Sequence, residues 1–297
     1  MQIVERVCHF LRKTIGTVKT DGRSLRLSRW KRRTFDTVFK FSNLLNVRTE
    51  VDTGHGLLRF ECRTFKEVWR ASTAFTKETG TVDWLTRTIV PGDVYYDIGA
   101  NIGVYALYAT CLMQDRGRVY AFEAYPPNVQ RLVANVLAND LGDRVVVVAS
   151  ALSDDFHVAA VTYDVADAGA SGAWTDRVVG RDTATGQRIT DVRATISVDQ
   201  AVAAQVAEPP TVVKIDVDGD EELVLRGMKH ILESSNRPRS VQIETRPNTA
   251  TAVSEFMGSL DYVAEEVHYA ASTVQQIRMG RDPKTVVRNE VYSYGSS

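Results

Sequence analysis

Cysteine is scarce in this chain, and long apolar runs are missing. The three cysteines, Cys8, Cys62 and Cys111, stand far apart and form no C-x-x-C pair. This spacing excludes a disulfide framework and a cysteine-rich zinc site. No run of about 18 apolar residues occurs, so we expect no membrane-spanning helix. The N-terminus also lacks the apolar core and the cleavage site of a secretory signal. These absences predict a protein of the reducing cytoplasm.

A strong net charge is also missing, but the charge is unevenly distributed. The 297 residues are 44% hydrophobic and 25% charged, with a formal net charge of −1, as in globular proteins with one large core. Residues 1–40 hold eleven Lys and Arg against three Asp and Glu, or +8, which leaves −9 for the remainder. The acidic remainder and the lack of an aromatic platform argue against a specific nucleic-acid partner.

The basic arm has a helical pattern, because apolar residues from Ile3 to Val18 recur on one face. Two interpretations stay open. A basic amphipathic helix can contact a membrane surface or a protein partner, which would make a cytoplasmic protein peripheral to a membrane. Alternatively, the helix packs on its own domain or on a second subunit. The oligomeric state does not follow from the sequence.

A glycine-rich turn is the most informative segment of the chain. Residues 94–98 predict a short strand, residues 99–103 a turn, and residues 104–113 an apolar helix, and the central motif is D-I-G-A-N-I-G. In α/β proteins, such a turn holds a nucleotide-like ligand against the N–H groups of the helix start. The dinucleotide spacing G-x-G-x-x-G is absent. The motif therefore points to a smaller, cationic cofactor.

Repeated strand–helix units predict the fold class, which is α/β. We expect a Rossmann-like, doubly wound sheet of seven strands, mostly parallel, with an antiparallel C-terminal strand pair. A basic helical extension with a short strand would occupy residues 1–75, and the main domain residues 76–297. The aperiodic stretch 153–195 is expected to be a β-excursion or a lid, with a decorative insertion as the alternative. Predicted strands cover residues 57–62, 94–98, 119–123, 145–152, 212–217, 240–245, 262–267 and 286–294, and predicted helices cover residues 65–77, 81–89, 104–113, 128–138, 221–232 and 250–260.

Acidic residues end several predicted strands: Asp97, Glu123, and Asp216 with Asp218. Ligands of doubly wound sheets bind beyond the carboxyl ends of the strands. Glu123 follows Gly103 by twenty residues, which is the interval at which an acid typically accepts hydrogen bonds from ribose hydroxyls. A buried Asp97 would need donors or a cation.

Five segments carry a family resemblance: D-I-G-A-N-I-G at 97–103, V-Y-A-F-E-A-Y-P at 119–126, N-x-x-x-N at 135–139, A-L-S-D at 151–154 and K-I-D-V-D-G-D-E-E-L-V-L-R-G at 214–227. Together they resemble the FkbM family of S-adenosylmethionine-dependent methyltransferases. The last segment is the most specific. The resemblance implies a class I methyltransferase that uses S-adenosyl-L-methionine, most often for O-methylation of a hydroxyl on a sugar, glycan or natural-product acceptor.

The resemblance covers about residues 75–294 and also implies a cofactor site. The glycine turn would surround the methionine part, Glu123 would hold the ribose, and the end of the third strand would line the adenine. The residues implied in cofactor binding are Glu78, Asp97, Gly99, Ala100, Asn101, Gly103, Glu123, Ser150, Ala151, Leu152 and Asp216.

Methyl transfer needs in-line positioning and a base for the hydroxyl. By their positions, Asp216 and Glu244 are the base candidates, followed by Asp218 and His157, and Lys214 could neutralise one of the carboxylates. A requirement for a divalent metal is left open. Two residues depart from the family pattern, Ala124 in place of a proline and Asp218 in place of a glutamate.

Competing hypotheses remain beside this interpretation. A non-catalytic, methyltransferase-like binding subunit would keep the turn without turnover. An NAD-dependent oxidoreductase or epimerase would need the missing glycine. A nucleic-acid methyltransferase would need an Asn/Asp-Pro-Pro-Tyr/Phe signature, whereas Pro209-Pro210 precedes the fourth strand.

Overall fold

A computed structural model describes residues 17–20, 47–164, 174–175 and 188–295 of the chain. A small sheet comes first, in which the second strand pairs parallel with the first and antiparallel with the third. Its strands are β1 (Thr17–Thr20), β2 (Val47–Asp52) and β3 (Leu57–Cys62).

The predicted helix of the basic arm is wrong at its C-terminal end, since Thr17–Thr20 is a strand. Three of these four residues are β-branched, and pairing with β2 favours such residues in extended backbone. The other residues of the predicted arm helix lie outside the described residues.

Two helices, α1 (Phe65–Lys77) and α2 (Thr79–Thr88), lead from the small sheet to the main sheet. The first begins with a capping box, in which Glu67 N–H donates to Thr64 Oγ1 (3.2 Å) and Thr64 N–H donates to Glu67 Oε2 (2.7 Å). The same glutamate accepts a 2.9 Å bond from Arg131 Nε, and this ion pair is buried. Removing either partner would leave a buried charge, so the pair anchors α1.

The remaining elements alternate along the chain. The strands are β4 (Val94–Ile98), β5 (Arg118–Phe122), β6 (Val145–Val148), β7 (Ala151–Leu152), β8 (His157–Asp164), β9 (Trp174–Thr175), β10 (Arg188–Ile196), β11 (Val212–Ile215), β12 (Ser240–Thr245), β13 (Tyr262–His268) and β14 (Arg288–Tyr294). The helices are α3 (Val104–Leu112), α4 (Pro126–Ala138), α5 (Val198–Ala203), α6 (Glu221–Arg226), α7 (Lys229–Glu233), α8 (Ala250–Gly258) and α9 (Ala271–Arg278), with a 3₁₀ turn at Pro283–Thr285.

The main sheet has seven strands in the described part of the chain, in the order β13-β14-β12-β11-β4-β5-β6. Strands β6, β5, β4, β11 and β12 run parallel, and β14 is antiparallel to both β12 and β13. The predicted fold class is therefore confirmed. This order brings the carboxyl ends of β4, β5, β11 and β12 to one edge, where a ligand site is expected.

Helices cover both faces of the main sheet. Side chains alternate along a strand, so the consecutive Tyr95 and Tyr96 of β4 belong to two different apolar cores. One core packs α1, α2, α3 and α4 against the sheet, and the other packs α5, α6, α7 and α8. Of the helices in the described ranges, none combines the length and apolar character that crossing a membrane requires.

The third strand of the main sheet is shorter than predicted. It ends at Val148, and Ala151–Leu152 instead pairs with β10 in a separate four-stranded sheet of order β7-β10-β8-β9. The chain turns at Ser150, whose N–H donates to Val148 O (3.0 Å). The described residues of 153–195 thus belong to a β-excursion from the main sheet.

The segment between the last two strands is also different from the prediction. We expected a polar stretch without a helix, but α9 forms there. Only Thr273 of this helix is buried, and the apolar residues Ala271, Val274 and Ile277 cover too few turns for the sequence pattern to predict a helix. The predicted helix 221–232 is divided into α6 and α7 at Gly227, where a Cβ would lie 2.0 Å from Ser153 O.

Candidate active site

The glycine turn after β4 has a backbone that its sequence explains. Gly99, Asn101 and Gly103 have φ of 81°, 53° and 89°, a region that glycine and asparagine enter at least cost. Space is limiting as well. A Cβ on Gly99 would lie 1.8 Å from Asp216 O, and one on Gly103 would lie 2.4 Å from Leu132 Cδ1. The turn can therefore pack against β11 and α4 only because these residues lack side chains.

Backbone bonds tie this turn to the end of β5. Gly99 and Ala100 both donate their N–H groups to Phe122 O at 2.9 Å. Asn101 N–H donates to Glu123 Oε2 at 2.7 Å. Hydrogen bonds within the protein thus hold the turn against the end of β5.

Glu123 is buried beside the turn, where its two oxygens serve different backbone groups. Oε2 bonds Asn101, and Oε1 accepts from Tyr125 N–H at 2.7 Å. Burial raises the pKa of Glu123 to about 7, although these two amides and Asn128 lower it. The side chain therefore organises the turn in the protein itself, and its role toward a ribose stays a prediction.

Lys214 lies at the centre of the site, almost completely buried on β11. Its Nζ is 2.9 Å from Asp216 Oδ2 and 4.0 Å from Asp97 Oδ1. Burial alone would lower the pKa of the ammonium, but the two carboxylates outweigh it and raise that pKa. Burial also disfavours the ionised form of Asp216, but Lys214 lowers the pKa of this carboxyl below its ordinary value.

Asp97 is fully buried, and within the described residues no donor meets hydrogen-bonding geometry with either of its oxygens. Burial raises its pKa to about 6, and the charges of Lys214 and Asp216 act in opposite directions on it. The backbone N–H of Ala106 also lowers this pKa, so Lys214 and that amide offset the buried charge of Asp97 within the protein.

A recess of about 450 Å³, here named the turn pocket, opens beside these residues. Helix α1 contributes Arg70 and Lys77 to its wall, and Glu78 follows at the helix end. Glu78 accepts bonds from Lys77 Nζ (2.6 Å) and Tyr105 Oη (2.9 Å). The turn pocket is lined by Trp69, Arg70, Thr73, Ala74, Lys77, Glu78, Gly99, Ala100, Asn101, Val104, Tyr105, Lys214 and Asp216.

The residues around the turn pocket fit the amino-acid part of S-adenosylmethionine. Carboxylates of Glu78 and Asp216 suit its ammonium and sulfonium, whereas Arg70 and Lys77 suit its carboxylate. Sequence reasoning missed Arg70, because it lies before the segment that carries the family motifs and its helix has no recognisable ligand spacing.

A second group of acids, here named the acid cluster, consists of Asp216 and Asp218 after β11, Glu221 at the start of α6 and Glu244 near the end of β12. Burial, with the charges of Asp216 and Asp218, raises the pKa of Glu244 to about 9. Burial likewise raises the pKa of Glu221 to about 7. Of these acids, Asp216, Asp218 and Glu244 are the predicted catalytic residues, and the charges of the two aspartates act on Glu244.

Arg246 balances part of this negative charge. Its Nη2 lies 3.0 Å from Asp218 Oδ1 and 4.0 Å from Glu244 Oε1. Asp218 has a φ of 60°, and aspartate tolerates this left-handed conformation better than a longer side chain does. The backbone therefore accounts for aspartate at a position where the resembling family usually has glutamate.

The other predicted residues lie on the excursion or before it. Ser150 Oγ donates to Ala151 O (3.2 Å) and Ala194 O (3.4 Å), and Leu152 packs in an apolar core. His157 contacts Thr195, with 3.0 Å between Nδ1 and Oγ1. An adenine role for the residues 150–152 stays a prediction, and nothing in these contacts links His157 to the acid cluster.

No metal-binding arrangement of three or more His, Cys, Asp or Glu side chains occurs in the described ranges of the chain. Glu222, which extends the acidic run in sequence, instead pairs with Arg226 at 2.7 Å.

A wider depression that is open to solvent, here named the C-terminal basin, adjoins the acid cluster at Asp218. Its walls come from the ends of β11 and β12 and from the segment between β13 and β14. The lining residues are Asp218, Gly219, Arg246, Pro247, Asn248, Thr273, Gln276, Arg281, Thr285, Val286 and Val287.

Two sequence comparisons match parts of this chain. The Methyltransferase FkbM domain matches residues 97–269. Hexuronic acid methyltransferase AglP of Haloferax volcanii is 29% identical over 178 residues, covering 60% of this chain and 67% of that protein.

Two solved structures are similar at lower identity. The FkbM methyltransferase of Methylobacillus flagellatus has a TM-score of 0.45 and 15% identity, covering 69% of this chain and 44% of that one. Precorrin-6y C5,15-methyltransferase of Geobacter metallireducens has a TM-score of 0.43 and 13% identity, covering 72% and 87%. The chain thus spans less than half of the length of the solved FkbM methyltransferase.

The strand order and the glycine turn define a Rossmann-like domain of the methyltransferase kind. Because the domain match covers more than half of its residues, the chain belongs to the FkbM methyltransferase family.

Proposed function

We propose that this protein is an S-adenosylmethionine-dependent methyltransferase that methylates a hydroxyl oxygen on a sugar or glycan acceptor. One observation carries the proposal: the acid cluster joins the two cavities. Asp216 lines the turn pocket and Asp218, two residues later, lines the C-terminal basin. A methyl donor in the turn pocket and an acceptor in the basin would therefore meet at carboxylates, the groups that can take a proton from a hydroxyl.

The turn pocket is the proposed cofactor site. Glu78 and Asp216 would hold the cationic groups of S-adenosylmethionine, and Arg70 would hold its carboxylate. When bound, this cofactor supplies an electrophilic methyl group on a sulfonium. Because Gly99 and Gly103 lack side chains, a ligand can approach the backbone of the turn. The close packing of Gly99 against Asp216 O also leaves no room for a side chain there.

Glu244 is the base candidate that the electrostatics favour. Asp216 is held as an anion by Lys214, with its pKa lowered, so it is a weak base suited to binding a cation. Glu244 has a pKa of about 9 because of burial and the neighbouring carboxylates. A positive charge in the turn pocket would lower this pKa toward neutrality, where a general base works best. Glu244 would then take the proton from the acceptor hydroxyl.

Two facts support a sugar as the acceptor. The lining of the basin includes the polar side chains of Asn248, Gln276 and Thr285, which can bond sugar hydroxyls. The similar protein of Haloferax volcanii is a hexuronic acid methyltransferase.

The test is a transfer assay with S-adenosylmethionine and a panel of neutral sugars, uronic acids and their glycosides. We expect mass spectrometry to find one methyl group in place of a hydrogen on an acceptor, stable to mild base as an ether is. Binding of S-adenosylhomocysteine without any transfer would instead support a non-catalytic binding subunit. No binding of either cofactor form would overturn the proposal.

A further inference from the structure

The C-terminal basin contains two arginines whose surroundings differ. Arg246 points its guanidinium at acids, with Asp218 Oδ1 at 3.0 Å and Glu244 Oε1 at 4.0 Å. Its charge is therefore already balanced within the protein.

Arg281 is held by neutral groups instead. Its Nη1 donates to Gln276 Oε1 at 2.5 Å, and its Nη2 donates to Thr285 O at 3.5 Å. Across the described residues, no carboxylate forms an ion pair with Arg281. The neighbouring Asp282 uses Oδ1 to accept from Lys284 N–H at 2.9 Å. The guanidinium is thus oriented by two neutral partners and keeps its full positive charge.

We infer that Arg281 binds a carboxylate carried by the acceptor, so that the substrate class is an acidic sugar. The inference rests on the proposed function and specifies its acceptor. A guanidinium presents paired N–H donors that match the two oxygens of a carboxylate. Arg281 lines the basin, so a carboxylate bound to it would lie beside side chains that can bond sugar hydroxyls.

The charges also orient the acceptor. At the end of the basin near Asp218, Arg246 is already paired with that carboxylate and offers an acceptor carboxylate no uncompensated cation. Arg281 attracts the carboxylate to the wall formed by the segment after α9. A hydroxyl of the same sugar is then left at the acid cluster. The product is therefore a methyl ether of the sugar acid, with its carboxylate unmodified.

The experiment compares wild type with Arg281→Gln and Arg281→Lys, and Arg278→Gln is the matched control. Arg278 is an exposed arginine on α9 that does not line the basin. Binding of methyl glycosides of glucuronic and galacturonic acid is measured by calorimetry with S-adenosylhomocysteine present. The neutral glucosides and galactosides, and the glucose and galactose 6-phosphates, form the comparison arms.

We expect the uronic acid glycosides to bind wild type more tightly than the neutral glycosides. Arg281→Gln should weaken uronic acid binding roughly tenfold or more, since a charge-assisted bond is lost. The affinity of Arg281→Gln for the neutral glycosides should equal that of wild type. Arg278→Gln should bind the acidic and the neutral glycosides as wild type does. Arg281→Lys should recover part of the loss, because it keeps the charge without the paired donors.

Several outcomes would overturn the inference. One is equal binding of acidic and neutral sugars, and another is an acidic preference that Arg281→Gln leaves intact. A preference for the sugar phosphates would show that the bound anion is a phosphate and not a carboxylate. A product with a base-labile methyl ester would show that the carboxylate, and not a hydroxyl, receives the methyl group. Uronic acid binding that depends on Arg281, without methyl transfer, would uphold this inference while the proposed function fails.

Discussion

Lys214 and Asp97 occupy paired positions on the neighbouring parallel strands β11 and β4, and both side chains are buried. The ammonium lies 4.0 Å from Asp97 Oδ1, while its closer partner is Asp216 Oδ2 at 2.9 Å. One lysine thus faces two carboxylates, of which only Asp216 meets hydrogen-bonding geometry with it. Burial raises the pKa of Asp97. Lys214 is the cation that offsets the negative charge of both Asp97 and Asp216.

Removing this lysine should destabilise the fold strongly. Lys214→Met leaves buried carboxylates without their cation, and breaking a buried pair in this way costs roughly 3–5 kcal/mol. The measurement is urea unfolding at neutral pH. Lys229→Met is the control, because that lysine is exposed and lies 3.7 Å from Glu233. Adding Asp97→Asn to Lys214→Met should restore part of the stability, and equal stability of the two lysine variants would refute the electrostatic role.

The buried Glu123 should make stability depend on pH in a defined direction. Its pKa rises from an ordinary 4.5 to about 7 in the folded protein, so the folded state keeps the proton longer than the unfolded chain does. This contribution is complete below pH 4.5 and is lost as the pH rises to about 7. Relative to Glu123→Gln, wild type should lose on the order of 2–3 kcal/mol over this interval.

Urea unfolding at several pH values measures this difference. Glu255→Gln changes an exposed residue of α8 and should follow the wild-type curve. Parallel curves for wild type and Glu123→Gln would show that the carboxyl titrates alike in both states.

Much of the fold follows from sequence periodicity. The strands and turn around residues 94–103 were predictable because apolar runs, glycines and the following helix agree with one another. The excursion was harder, since the division between β6 and β7 depends on pairing with β10, which is distant in sequence. Helix α9 was not predictable, because most of its residues face away from the core.

The residues of the candidate site were likewise predictable only in part. Acids at strand ends could be predicted from the order of the strands, and the structure does bring Asp97, Asp216 and Glu244 to one edge. Arg70 and Arg281 could not be found, because long-range packing of α1 and of the segment after α9 puts them beside the cavities. Their neighbours in sequence carry no motif.

The cofactor proposal predicts a role for Arg70. Arg70→Gln should weaken binding of S-adenosylhomocysteine by roughly 1.5–3 kcal/mol, as expected for a lost hydrogen bond to a charged group. Calorimetry measures the affinity. Lys66→Gln removes an exposed charge from the same helix, and that change should leave the affinity as in wild type. An unchanged affinity in Arg70→Gln would exclude contact with the ligand's carboxylate.

Glu244 should be needed for turnover more than for binding. Glu244→Gln keeps the size of the side chain but cannot accept the hydroxyl proton, and loss of a general base lowers kcat roughly 10²–10⁴-fold. The affinity for S-adenosylhomocysteine should stay close to that of wild type. Glu222→Gln is the control, because Glu222 pairs with Arg226 and lies outside the acid cluster.

The pH profile separates this role from a structural one. With a pKa of about 9, Glu244 must lose its proton to act, so wild-type kcat should rise with pH through the value that the bound cofactor sets. The rise should disappear in Glu244→Gln, because its amide does not titrate. If the variant kept the rising limb at a reduced rate, another group would be the base, and Glu244 would only position the acceptor.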